Sequence, residues 1–76
     1  MPHFFLHVRN HHDLAIDPDG VDLPDIDAAR AEGLRVAREL LADWPSGWPQ
    51  AQAETAIEIT DRRGQTLLRI PFSDVA

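Results

Sequence analysis

Residues 57–72, IEITDRRGQTLLRIPF, contain two short apolar stretches on either side of a turn sequence. In both stretches apolar side chains recur at every second position, a pattern typical of a strand with one buried face. Between them, Asp-Arg-Arg-Gly at 61–64 predicts a tight turn in which the glycine takes a positive φ. The stretch therefore predicts a β-hairpin with strands within residues 53–60 and 66–72. Pro71 has no backbone N–H, so the second strand must lie at a sheet edge or end there.

A helix precedes this hairpin. Apolar residues recur at a helical period over residues 26–44 and define a stripe that packs on the sheet. Asp25 or Asp27 is placed to cap the first turn, and Pro45 ends the helix. Gly33 lies within the stripe, where it lowers helix propensity, so we expect it to let the helix approach the sheet closely. The stripe consists of Ile26, Ala29, Gly33, Val36, Ala37, Leu40, Leu41 and Trp44.

Two more strands are predicted in the N-terminal third of the chain. Residues 3–8 alternate between apolar and mixed positions, which favours a strand. Residues 10–13 are polar and predict a hairpin loop, followed by a short strand at 14–16. Asp-Pro-Asp-Gly at 17–20 predicts a turn, after which we expect Val21 to pack inward as the chain crosses to the helix.

The element order is therefore β-β-α-β-β, an α+β fold. A right-handed crossover places the strands in the order 2-1-3-4, as a four-stranded antiparallel sheet with one helix packed on one face. We expect the 76 residues to form a single small domain with a thin core, because a chain of this length buries only about 60% of the surface that its unfolded form exposes.

Composition excludes several classes of function. The chain has no cysteine, so disulfides, thiolate nucleophiles and cysteine-ligated metals are ruled out. Seven basic and 13 acidic residues give a net charge of −6, which argues against nucleic acid as a partner. The N-terminus lacks the pattern of a signal peptide, and no apolar run is long enough to span a membrane. These features predict a cytoplasmic protein that does not associate with membranes.

The histidines and acidic residues do not form a recognisable metal or catalytic motif. His3 and His7 share a strand face but stand about 13 Å apart along it, too far to share one ion, and His7 would meet His11 and His12 only if the loop folded back. Gly20 is the fourth residue from Asp17, whereas a calcium-binding EF-hand loop needs glycine at the sixth position. We therefore expect no metal, no cofactor and no enzymatic activity.

Arg30 lies close to the apolar stripe of the helix. It either extends past the first turn into water or pairs with Asp22 or Asp17 and so fixes the crossover, which is the alternative we favour. The aromatic and proline-rich segment 44–49 either closes the end of the core or docks a peptide, and core packing is the commoner role.

The sheet face away from the helix carries the strongest indication of function. Apolar residues occur there among charged ones, as in surfaces that contact proteins. We predict a protein-interaction module, a homodimer or a binder of a small protein partner, that uses this face or an edge strand. The predicted contact residues are Phe5, His7, Arg9, Glu58, Leu67 and Arg69.

A second hypothesis is a small nucleic-acid-associated regulator of the antitoxin type. It requires a clustered basic surface in spite of the negative net charge. The residues that would have to lie together are Arg9, Arg62, Arg63 and Arg69.

Several stretches together resemble a known family. They are the opening Pro2-x-Phe4-Phe5-x-His7-Val8-Arg9, the passage Gly20-Val21-x-Leu23-Pro24-Asp25, the helix start at 28–32, and the closing Ile57-Glu58-Ile59-Thr60-Asp61 with Gly64-x-x-Leu67-Leu68-x-Ile70-Pro71-Phe72. The chain resembles the small bacterial proteins grouped as domain of unknown function 6894, although its loop at 10–13 departs from the Asp-Gly type of that family. The resemblance implies a fold and a bacterial cytoplasmic setting, and it assigns no activity.

Overall fold

The computed structural model describes residues 1–10, 14–42 and 55–75. Five strands, one α-helix and a short 3₁₀ helix follow one another along the chain. They are β1 (His3–Arg9), β2 (Leu14–Ala15), β3 (Val21–Asp22), α1 (Ile26–Ala42), β4 (Ala56–Thr60), β5 (Thr66–Pro71) and the 3₁₀ turn Phe72–Asp74.

The strands form one antiparallel sheet in the order β2-β1-β4-β5, with β3 also paired to β1. The α+β class is confirmed, and the four predicted strands have the predicted neighbours. The sheet differs from the prediction by the additional strand β3, which sequence reasoning treated as part of the crossover. Its pairing consists of two bridges, His3 to Asp22 and Phe4 to Val21, and two residues are too few to produce a visible alternation.

The helix begins where its capping residue predicts. The Asp25 side chain accepts a hydrogen bond from the Ala28 N–H at 2.8 Å, and the Asp25 carbonyl accepts one from the Ala29 N–H at 3.1 Å. Asp25 is therefore the N-cap, one of the two candidates considered. Ile26 differs from the predicted stripe because its side chain is 41% exposed, at the first turn of α1.

Small residues form the contact between α1 and the sheet. Ala29, Gly33 and Ala37, four residues apart, are the buried positions of the helix. A Cβ atom on Gly33 would lie 2.8 Å from Ile70 Cδ1 and 3.3 Å from Ile59 Cδ1. The close approach expected at Gly33 is thus confirmed, and the bulk of the core comes from the sheet.

The core lies between α1 and the central strands. Its buried side chains are contributed mainly by β4, β5 and the turn that follows, and half-buried leucines and valines surround them. The hairpin turn between β4 and β5 has the predicted geometry, since Gly64 has φ +80° and its N–H donates to the Asp61 carbonyl at 3.0 Å. The buried hydrophobic residues are Phe4, Ala29, Ala37, Ala56, Ile57, Ile59, Ile70 and Phe72.

Some predictions fall outside the described residues. These are most of the loop predicted at 10–13, the aromatic segment 44–49 and the first two residues of the strand predicted at 53–60. Among the residues described, the third predicted strand starts at Ala56.

Candidate interaction surface

The surface of interest is the outer face, the side of the sheet that points away from α1. Alternation along the strands gives its membership, because core residues such as Phe4, Ile59 and Leu68 face the helix and their neighbours face outward. All six predicted contact residues therefore lie on this face. Its residues are His3, Phe5, His7 and Arg9 of β1, Ala56, Glu58 and Thr60 of β4, and Leu67, Arg69 and Pro71 of β5.

A row of polar side chains crosses the middle of the outer face. His7 is opposite Glu58, and Glu58 is opposite Arg69 on the next strand. Arg9 Nε donates to Glu58 Oε2 at 2.6 Å. A half-buried carboxylate thus lies among cationic neighbours on β1 and β5, so the interaction within this row is attractive.

The apolar part of the outer face is smaller than the sequence indicates. The Phe5 ring is half-buried, with the His3 ring edge-on at a centroid distance of 4.9 Å and the His7 ring nearly parallel at 6.2 Å. Leu67, which is 41% exposed, is the large apolar side chain that this face presents to solvent among the described residues. Leu67 sits where the register between β4 and β5 shifts beside Thr60, as in a β-bulge.

Both ring nitrogens of His7 are engaged within the protein. Its Nδ1 accepts the backbone N–H of Asp17 at 3.0 Å, and its Nε2 lies 3.0 Å from Thr60 Oγ1. Because a backbone N–H can only donate, the ring hydrogen is on Nε2 and points to the threonine hydroxyl. The ring therefore connects β1 to β4 and to the loop at 16–20.

His3 makes the opposite kind of contacts. Its Nδ1 lies 2.6 Å from Asp22 Oδ1 and its Nε2 lies 2.8 Å from the Asp19 carbonyl. Both partners are acceptors, so both nitrogens carry hydrogen in this arrangement. The hydrogen bond to Asp22, followed by that to Asp19, holds the pKa of His3 above its ordinary value, and the same bond from His3 lowers the pKa of Asp22.

Asp17 organises the loop at 16–20, between β2 and β3. Its Oδ2 accepts the Leu6 N–H at 3.2 Å, and its Oδ1 accepts the N–H groups of Asp19 at 3.2 Å and Gly20 at 3.1 Å. Burial raises the pKa of Asp17, but these backbone donors, with Gly20 first, lower it by more, so it ends below its ordinary value. The carboxylate occupies the place where an edge strand would otherwise bond to the middle of β1.

The expected pairing of Arg30 with Asp17 or Asp22 is wrong. Within residues 1–10, 14–42 and 55–75, Arg30 is exposed and has no ion pair, while His3 binds Asp22 and backbone amides surround Asp17. Sequence reasoning missed both contacts, because Asp22 lies 19 residues from His3 and Asp17 lies 11 from Leu6.

The opposite edge, along β5, has few groups with which to pair. The Phe72 N–H donates to the Thr55 carbonyl at 2.9 Å, which makes these residues a hydrogen-bonded pair. Because such pairs alternate with non-bonded ones in an antiparallel ladder, the backbones of Pro71 and Arg69 face away from β4. Pro71 has no N–H to offer there, and the bulge beside Leu67 interrupts the ladder on the other side.

The described residues do not bring together the groups that metal binding or the nucleic-acid hypothesis requires. Among them, no three or more His, Asp or Glu side chains are placed to hold a metal ion, and His11 and His12 lie outside the described residues. Arg62 and Arg63 occupy the β4–β5 turn, whereas Arg9 pairs with Ala56 near the other end of β4. Six residues of strand and turn, about 20 Å when extended, separate Arg62 from that end.

Comparison with known protein families places the chain in one of them. Residues 3–73 match the family described as Domain of unknown function (DUF6894), and the chain belongs to that family. Comparisons with curated proteins and with solved structures gave no match. In the part of the chain that the structure describes, no helix is long and apolar enough to cross a membrane.

Proposed function

We propose that this protein is a small, non-catalytic interaction module that associates with a second copy of itself through the outer face of the sheet. The observation that carries the proposal is the combination on one face of an exposed Leu67, the half-buried Phe5 ring and the charged row around Glu58. Mixed apolar and charged surfaces of this kind are typical of protein contacts. Among the described residues, α1 packs on the other face of the sheet, and the loop at 16–20 contacts the outer face at His3 and His7.

The two histidines that the structure describes, His3 and His7, support a binding role over a catalytic one. General acid–base catalysis needs a ring nitrogen that can reach a substrate. His3 uses both nitrogens on Asp22 and Asp19, and His7 uses both on Asp17 and Thr60. In this arrangement the rings hold the fold together and leave no nitrogen for proton transfer to a ligand.

The outer face is a better contact than either edge. Beside β1, the Asp17 carboxylate already takes the Leu6 N–H. Along β5, Arg69 has backbone groups facing outward, but the neighbouring Pro71 has no N–H. Addition of a partner strand would form few hydrogen bonds at either edge, whereas contact between faces requires none of them.

The test is the solution mass of tag-free protein, measured by light scattering over a wide range of concentration. We expect a reversible dimer with twice the chain mass of 8.5 kDa. Leu67→Lys places a charge in the contact and should weaken dimerisation by about tenfold or more, as for the loss of an interface anchor.

Ile26→Lys is the matched control, because Ile26 and Leu67 are both 41% exposed while Ile26 lies on the helix side of the domain. It should leave the dimer constant unchanged. A wild-type monomer at all concentrations would exclude self-association. Equal weakening by both variants would exclude the outer face as the contact.

A further inference from the structure

We propose that His3 and the loop at 16–20 form a pH-dependent latch that covers the edge of β1. The latch is closed when His3 is protonated, and it loosens when the ring loses a proton. The latch does not require self-association, because every group in it belongs to one copy of the chain, although His3 lies beside Phe5 on the outer face.

The contacts of His3 require the protonated ring. Its two nitrogens face two acceptors, Asp22 Oδ1 at 2.6 Å and the Asp19 carbonyl at 2.8 Å. A neutral ring has one hydrogen and one lone pair, so one of the two acceptors would face a lone pair and that bond would be lost. Either loss releases the ring from one side of the loop.

The charges that face His3 come from several elements. Asp22 on β3 favours the protonated ring, and the Asp19 carbonyl of the loop does the same. The Arg62 guanidinium in the β4–β5 turn opposes it, and the Phe5 ring on β1 contacts its edge. The N-terminal ammonium acts on Asp22. The favourable contacts prevail, so the pKa of His3 is raised above 6.5.

Space around the ring links it to the rest of the loop. Gly20 has φ +69°, and a Cβ atom there would lie 2.4 Å from His3 Nε2 and 2.7 Å from the Phe4 carbonyl oxygen. The loop backbone is therefore in contact with both the ring and β1. The Asp17 side chain, in the same loop, accepts the N–H groups of Leu6 and Gly20. If Asp19 and Gly20 move away from His3, the hydrogen bond from Leu6 to Asp17 therefore weakens as well.

The direction of the pH effect follows from the raised pKa of His3. Below about pH 6.5 the ring is protonated in both the closed and the open loop, and the closed loop has its full advantage. As the pH rises through the raised pKa, the closed form must give up its proton, and that advantage is lost. The latch is thus closed in mildly acidic solution and looser in alkaline solution.

Nuclear magnetic resonance on the full chain tests this between pH 5.5 and 9. We expect the His3 ring nitrogens to titrate with a midpoint above 6.5, and the amide shifts of Asp19 and Gly20 to follow the same midpoint. Protection of the Leu6 and Gly20 amides against hydrogen exchange, corrected for intrinsic rates, should fall about fivefold across it relative to α1 amides, as for one lost hydrogen bond.

Asp22→Asn separates the latch from general stability, because the Asp22 side chain is 61% exposed and its replacement leaves the core intact. The His3 midpoint should fall towards its ordinary value, and the loop should lose protection already at pH 6. Asp27→Asn, which removes a carboxylate from the first turn of α1, should change neither. A wild-type His3 midpoint at or below 6.5, or loop amides that ignore the His3 titration, would overturn the proposal.

Discussion

Beside β1, the Asp17 carboxylate accepts a backbone N–H that an edge strand would otherwise bind. The edge along β5 is not covered in this way, but it presents few backbone donors to a partner strand. The first edge depends on particular hydrogen bonds, from Asp17 to Leu6 and from His3 to Asp22. The second depends on the backbone chemistry of Pro71 and on the register shift near Leu67. An edge held by specific contacts can therefore be broken by one substitution or by pH, while an edge without donors can be changed mainly by adding a donor.

The largest effect should come from filling the space at Gly20. A methyl group there would collide with the His3 ring and the Phe4 carbonyl, and the φ of +69° is unfavourable for alanine. We expect Gly20→Ala to lower the free energy of unfolding by about 3 kcal/mol, from strain and displaced contacts together. Urea denaturation measures this change.

Gly64→Ala is the matched control for that substitution. Gly64 also has a positive φ, +80°, but a Cβ atom added there, in the β4–β5 turn, would meet no described atom within 4 Å. The substitution should cost about 1 kcal/mol, the conformational part alone. If the two substitutions lower the free energy of unfolding equally, the packing of Gly20 against His3 does not stabilise the edge beside β1.

A smaller loss is expected when the carboxylate beside β1 is removed. Asp17→Ala leaves the N–H groups of Leu6, Asp19 and Gly20 without their acceptor, which should cost about 2 kcal/mol. Because the folded pKa of Asp17 lies below its ordinary value, its contribution is present above the unfolded pKa and disappears as the pH falls through the folded one.

The difference between wild type and Asp17→Ala should therefore shrink in strong acid, as followed by urea denaturation at pH 7 and at pH 2. Asp19→Ala is the control, since it removes a neighbouring carboxylate but keeps the carbonyl that His3 uses. Its effect should stay within about 0.5 kcal/mol. If Asp19→Ala lowers the free energy of unfolding as much as Asp17→Ala, the stabilisation comes from the negative charge of the loop and not from the hydrogen bond between Asp17 and Leu6.

The smallest change in the free energy of unfolding is expected at the edge along β5, where a substitution should instead increase aggregation. Pro71→Val adds an outward N–H next to Arg69 and should cost less than about 1 kcal/mol. It should increase slow aggregation of concentrated protein, followed by light scattering over days. Pro18→Val in the loop at 16–20 removes a proline away from this edge and should not increase it. Equal aggregation of both variants would contradict a protective role for Pro71.

Local patterns predicted most of the framework. The alternation on either side of the Asp61–Gly64 turn, the cap at Asp25 and the glycine at Gly33 each depend on a few consecutive residues or on one helical period. The sheet order followed from chain connectivity and handedness. These features need no knowledge of what lies far away along the chain.

The contacts of the histidines and of Asp17 were not predictable in the same way. His7 was identified as a contact residue because of its exposed face, but its ring is held by Thr60, 53 residues away, and by the Asp17 amide. Phe5 is among the predicted contact residues, but the His3 and His7 rings flank it. Such contacts depend on how distant segments meet, which periodicity does not encode. Asp17 and Asp22, at the start of the predicted turn and after it, were the available indication, but the sequence favours their pairing with Arg30.

The pairing of β1 with β4 has a consequence for the order of events during folding. Phe5 lies opposite Thr60 and Arg9 opposite Ala56, so the two central strands come from distant parts of the chain. Closing such a long loop is slow compared with forming a helix or a hairpin. During synthesis β1 therefore gains its main partner only after β4 has left the ribosome. Until then the strands that can pair with β1 are the short β2 and β3, which give it its first backbone hydrogen bonds in the nascent chain.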